Sequence, residues 1–84
     1  MVYKIVLPKK VQKDLDKIDK RYKQKIQAAL LSLSNDPFLG KKLEGIHKDK
    51  RSYEVWPYRI IYQIIRNDLV VLIIRIGHRQ GAYK

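Results

Sequence analysis

The chain has 84 residues, 45% of them hydrophobic, and nineteen Lys and Arg against eight Asp and Glu give a formal charge of +11. That length makes one small domain, residues 1–84, with enough apolar content to form a core despite the charge. The lack of cysteine excludes disulfides, thiol catalysis and Cys-ligated metal.

The longest apolar run, 69–74, is too short to cross a bilayer, and the N-terminus lacks an apolar signal stretch, so a soluble cytoplasmic domain is expected. A domain of this size buries only roughly 60–65% of its unfolded surface and often gains stability from a partner.

Residues 2–7 (VYKIVL) are rich in β-branched and aromatic residues and predict a strand. Pro8 then suits the opening of a helix, because a first-turn proline gives up no needed hydrogen bond. Val11, Leu15 and Ile18 recur at i, i+4, i+7 among Lys and Asp, which predicts an amphipathic helix. A second helical stripe runs Tyr22, Ile26, Ala29, Leu30 and Leu33 after a turn near Asp19 and Lys20, and Asn35-Asp36-Pro37 ends it. Residues 38–50 show no sustained period and read as a basic loop.

Beyond them the period changes. Residues 52–56 read as a strand, 58–65 (YRIIYQII) as a second, Asn67-Asp68 as a two-residue turn, and 69–76 (LVVLIIRI) as a third, ended by Gly77. Both faces of the last two are apolar near their middles, so they belong at the centre of the sheet. The order β-α-α-β-β-β is that of an α+β domain, a helical hairpin packed on a small sheet.

Such charge attracts polyanions, and each Lys or Arg set against a phosphate releases a counterion. Residues 1–42 hold eleven Lys/Arg and four Asp/Glu, mostly as Lys; residues 43–84 hold eight and four and favour Arg, whose planar fork grips phosphate. Arg59 breaks an apolar strand, with Ile61, Gln63 and Ile65 on its own face. It must reach the rim, pair with an acid such as Glu54, or hold an anion. Arg75 reads as a solvated strand end.

His78, Arg79 and Tyr83 follow, expected together where the hairpin ends. His78 alone is either an ordinary surface histidine or a proton carrier. With Arg59 and Arg79 it makes a group of the kind that metal-free RNA cleavage requires. The 2′-oxygen loses a proton, the phosphorane charge is neutralised, and the 5′-oxygen regains a proton. Two histidines without cysteine do not support a zinc site, Ser32, Ser34 and Ser52 lack a His and Asp arrangement, and no Gly-rich phosphate loop occurs, so no metal or cofactor is expected. Tyr3, Tyr22 and Tyr62 fit packing roles; Trp56 is either a core anchor or an exposed stacking surface.

Over nearly its whole length the chain resembles the RelE/ParE superfamily of type II toxin–antitoxin toxins, and its RelE branch more closely. The resemblance rests on the opening strand and Lys-rich hairpin, Asp36-Pro37, Lys42-Leu43-Glu44-Gly45, Tyr58-Arg59-Ile60-Ile61-Tyr62, and the closing Gly77-His78-Arg79 with Tyr83. It implies a mostly antiparallel four-stranded sheet and a ribosome-dependent endoribonuclease that cuts messenger RNA in the A site without metal. Carried over by position, Arg59 would bind the scissile phosphate, and Arg79 would stabilise the transition state or protonate the leaving group. Tyr83 would stack on or orient the substrate, with His78 a secondary candidate. Lys41, Lys42, Lys50 and Arg51 are the further substrate-binding candidates.

The chain departs from the family where well-known members carry two basic residues on the strand before the Tyr-Arg strand. Ser52 and Glu54 stand there instead, with Lys50 and Arg51 slightly out of register. Glu54 either serves as the base in their place or marks weakened activity. The alternatives are a ParE-like poison of DNA gyrase and a catalytically weak RNA-binding homologue. The implied partners are the ribosome, messenger RNA and a RelB-like antitoxin in a hetero-oligomer. An acidic antitoxin segment that folds on binding would cover the basic surface, and no membrane is involved.

Overall fold

The computed structural model describes residues 2–78. Strand β1 (Lys4–Val6) leads into helices α1 (Lys9–Asp16) and α2 (Lys20–Asn35), followed by β2 (Lys41–Lys42), β3 (Arg51–Val55), β4 (Tyr58–Ile65) and β5 (Val70–His78). The sheet order is β1-β5-β4-β3-β2, with β1 parallel to β5 and the other pairs antiparallel. The helical hairpin thus carries the chain from one sheet edge to the other. Pro8 precedes α1, and the Asp19 side chain caps α2 by accepting from the Arg21 N–H.

The two apolar stripes are buried as their spacing demands. Val11, Ile18, Ile26, Ala29, Leu30 and Leu33 pack on Ile60, Tyr62, Val71, Ile73 and Ile76 to form the core. Tyr3 and Tyr22 pack against it, whereas Trp56 is 61% exposed, so it is a surface residue and not a core anchor.

Four features depart from the sequence expectation. Among the described residues the sheet has five strands, because the basic loop contains the two-residue edge strand β2 paired with β3. The turn between β4 and β5 is a 3-10 segment, Arg66–Asp68, and the left-handed residue is Leu69 (φ 53°), not Asn67 or Asp68. Strand β5 runs through Gly77 to His78, so Gly77 does not break it and Arg75 lies inside the strand, half-buried. A bulge makes that possible. Ile61 pairs with Arg75 but Tyr62 with Ile73, which leaves Ile74 as an extra residue. An uninterrupted period of two would turn residue 75 inward after 71 and 73; the bulge shifts the alternation and gives that place to Ile76.

The two sheet faces therefore differ. Ile60, Tyr62 and Ile64 of β4 face the helices. Arg59, Ile61, Gln63 and Ile65 alternate with them onto the open face, where Glu54 of β3 and Gly77 of β5 are the register partners of Arg59.

Candidate functional site

Edge strand β2 is exposed at both residues and has no apolar side chain to hold it. It is positioned from within the core. Tyr62, fully buried, donates its hydroxyl to the Pro37 carbonyl at 2.6 Å and accepts from the Gly40 N–H at 2.9 Å. Burial pushes the Tyr62 phenol above its ordinary value, so it stays a neutral donor. From β3, Arg51 Nη1 donates to the Gly40 carbonyl at 2.7 Å. Both backbone groups of Gly40 are thereby bound immediately before Lys41.

Beside β2 lies an open groove of about 680 Å³, lined by Lys41, Lys42, Glu44, Ser52, Glu54 and Arg59, with Leu39, Leu43 and Tyr53 as its apolar part. Arg59 and Glu54 are direct cross-strand partners, at the separation where opposite charges interact. Among the described residues, the groove sets three cations against two carboxylates. It offers a guanidinium for an anion and a carboxylate able to accept a proton, side by side.

Of the candidates named from sequence, Arg59, Glu54, Lys41 and Lys42 come together in this groove. Lys50 and Arg51 line a different recess, around Phe38. Lys50 also pairs with Asp49 at 3.2 Å, whose carboxyl that hydrogen bond holds below its ordinary value. His78 lies in a third recess with Asp14, Lys17, Tyr58 and Arg75. Its ring meets Tyr58 edge-on at 6.1 Å, and Tyr58 meets Tyr22 at 5.6 Å. Register sets His78 opposite Tyr58, on the alternate face from Arg59 and Gly77. Arg79 and Tyr83 lie outside the described residues.

Sequence reasoning missed Phe38 and Arg66. Phe38 is 44% exposed, with the Arg51 and Arg66 guanidinium carbons 5.1 and 5.2 Å from its ring centroid. An aromatic after a helix-ending proline gave no local signal, since both arginines reach it from elsewhere in the chain.

The fold thus sets a helical hairpin on one sheet face and a groove lined by charged side chains on the other, in a chain of formal charge +11. Residues 5–83 match the model of the ParE toxin of the type II toxin–antitoxin system parDE, and the chain belongs to that family, within the RelE/ParE superfamily. Relatives carry RelE names. "Putative toxin RelE1" of Methanocaldococcus jannaschii is 28% identical over 89 residues, covering 100% of this chain and 98% of the relative. A chain of the toxin–antitoxin complex RelBE2 from Mycobacterium tuberculosis superposes with a TM-score of 0.87 at 26% identity, covering 94% of this chain and 100% of that one. A chain of the archaeal RelE–RelB complex from Pyrococcus horikoshii gives 0.76 at 28% identity, over 98% and 100%. The fold is RelE-like.

Proposed function

We propose that this toxin is an endoribonuclease that cleaves messenger RNA in the ribosomal A site by attack of the RNA 2′-hydroxyl, and so stops translation in the cytoplasm. The observation that carries the reading is Arg59 on the open sheet face, paired in register with Glu54 in a groove edged by Lys41 and Lys42. In the proposed step Glu54 takes the 2′-hydroxyl proton, the 2′-oxygen bonds to phosphorus, and the bond from phosphorus to the 5′-oxygen breaks. Arg59 neutralises the charge that builds on the phosphorane oxygens.

Arg79, next in sequence after His78, is assigned to stabilise the transition state or to protonate the leaving 5′-oxygen, which otherwise takes its proton from water, and Tyr83 to stack on or orient the substrate. His78, on the opposite sheet face from Arg59 and stacked edge-on against Tyr58, is given no part in this step. The products are a 2′,3′-cyclic phosphate and a 5′-hydroxyl.

The partner in this reading is a RelB-like antitoxin. The complexes of the Mycobacterium tuberculosis and Pyrococcus horikoshii relatives support it. So does the half-buried apolar row Ile65, Val70 and Leu72 on the open side of the sheet, together with the surplus of positive charge. An acidic, amphipathic segment would cover both.

The test is cleavage of a defined messenger by purified protein with and without translating ribosomes, with the new ends mapped. Cutting only with ribosomes, leaving a cyclic phosphate, is the expected result; an intact messenger on toxin-bound ribosomes would overturn the reading. Glu54→Gln should slow cleavage by about 10²–10⁴-fold, the usual contribution of a general base. Undiminished cutting removes Glu54 from the mechanism.

A second reading, poisoning of DNA gyrase, is favoured by the ParE description of the matching family. In induced cells it predicts DNA-damage signalling before translation falls, the reverse of the order expected here. The two carboxylates in the groove favour a third, a catalytically weak RNA binder, which retains RNA affinity with no ribosome-dependent cleavage.

A further inference from the structure

The recess around Phe38 has a different electrostatic character from the Arg59 groove. Over about 170 Å³ it gathers Lys42, Lys48, Lys50, Arg51 and Arg66 against one carboxylate, Asp49, with Ile64 at its side. Asp49 is engaged by Lys50 at 3.2 Å. Two guanidinium groups sit about the Phe38 ring, whose quadrupole attracts them and offsets part of their mutual repulsion. Lys42 lines this recess and the Arg59 groove alike, so the two adjoin at edge strand β2. Along β3, Arg51 and Glu54 are three residues apart and alternate to opposite faces, a separation of about 10 Å.

We infer that the Phe38 recess is a second RNA-phosphate site, joined by Lys42 to the Arg59 groove, so that one strand bends round β2 and is held at both ends. The inference rests on the RNA reading proposed above and assigns the strand's main electrostatic anchor to residues remote from the chemistry. Among the described residues the groove sets three cations against two acids and the recess five against one; with Arg79 assigned to the groove the recess still carries the larger surplus, and so more of the long-range attraction for RNA. Phosphate also fits the donors, since the arginine fork binds it bidentately and Lys48 and Lys50 act as point charges. RNA brings a phosphate at every nucleotide whatever its sequence; an acidic peptide is the competing occupant, and poly-glutamate binding separates the two.

The test uses the full-length protein and a 2′-O-methyl oligouridine, which lacks the attacking hydroxyl and reports binding independently of cleavage. Lys48 and Arg66 are exposed and outside the assigned catalytic group. Lys48→Ser with Arg66→Ser should weaken binding at low salt by at least about tenfold. It should also lower the slope of log affinity against log salt by ~1.4, two single-strand phosphate contacts. Lys9→Ser with Lys20→Ser removes equal charge from the exposed ends of α1 and α2 and should change affinity less than about threefold, the size of a diffuse effect.

Equal losses in the two double variants, or no loss in the first, would overturn the site. Loss of poly-glutamate binding with oligouridine binding intact would overturn it in favour of a protein partner. A protein that binds oligouridine through Lys48 and Arg66 yet leaves ribosome-bound messenger intact would sink the cleavage reading alone and leave this site standing.

Discussion

Arg59→Ala is expected to reduce ribosome-dependent cleavage by about 10²–10³-fold, the size of effect seen when one preorganised donor to a developing oxyanion is removed. The fold should survive. Arg59 is on the open face, outside the cluster that binds helices to sheet, and its register partners are Glu54 on one side and Gly77 on the other. An opposite-charge cross-strand pair contributes roughly 0.2–1 kcal/mol, so the melting temperature should fall by no more than about 4–8 °C. Growth arrest on induction should disappear while folded protein accumulates.

A conservative partner variant separates charge from geometry. Arg59→Lys keeps the positive charge but loses the planar fork, and it should recover only a small part of the activity. Full activity in Arg59→Ala would remove this arginine from the phosphate site and the groove from the mechanism.

Where burial is one-sided, the chain spells out its structure. Val11, Leu15 and Ile18, then Ile26, Ala29, Leu30 and Leu33, repeat at helical spacing because one face of each helix meets the sheet. The span of β4 is legible from its run of β-branched and aromatic residues, apolar on both faces, and Glu54, one of the three ways open to an arginine among isoleucines, is the register partner of Arg59.

What could not be read locally depends on contacts distant in sequence. Strand β2 has no apolar residue and exists because Tyr62 and Arg51, from β4 and β3, hold Gly40. The bulge at Ile74 leaves no mark in composition, yet it decides that Ile76 and not Arg75 enters the core. The left-handed turn residue is Leu69, although Asn67 and Asp68 are the residue types that favour that conformation. The Phe38 recess is assembled from three separate stretches of chain, none remarkable by itself. The groove was therefore half legible, its strand residues by pattern and its β2 wall only by folding.

That wall is also where a single methyl group should do the most damage. A side chain at Gly40 would collide with the hydroxyl and ring carbons of Tyr62, which is fully buried and cannot swing aside. Overpacking a core costs about 1–3 kcal/mol, and shifting the ring also breaks a buried hydrogen bond worth a similar amount when a partner is left unsatisfied. Gly40→Ala should thus destabilise by roughly 2–6 kcal/mol, a large share of the 5–15 kcal/mol typical of a whole domain.

Tyr62→Phe tests the hydrogen bonds without the collision. It strands the Gly40 N–H and the Pro37 carbonyl and should cost roughly 2–4 kcal/mol. Because the hydroxyl is the atom nearest the added methyl, the two substitutions should not add: Gly40→Ala in the Tyr62→Phe background should cost at least about 1 kcal/mol less than in the parent.

Urea denaturation of the four proteins measures the cycle. Strict additivity, or single variants within about 0.5 kcal/mol of the parent, would show that the phenol does not hold β2. If it does, any variant that stays folded should lose RNA affinity as well, because Lys42 follows Gly40 by two residues and lines both the groove and the recess.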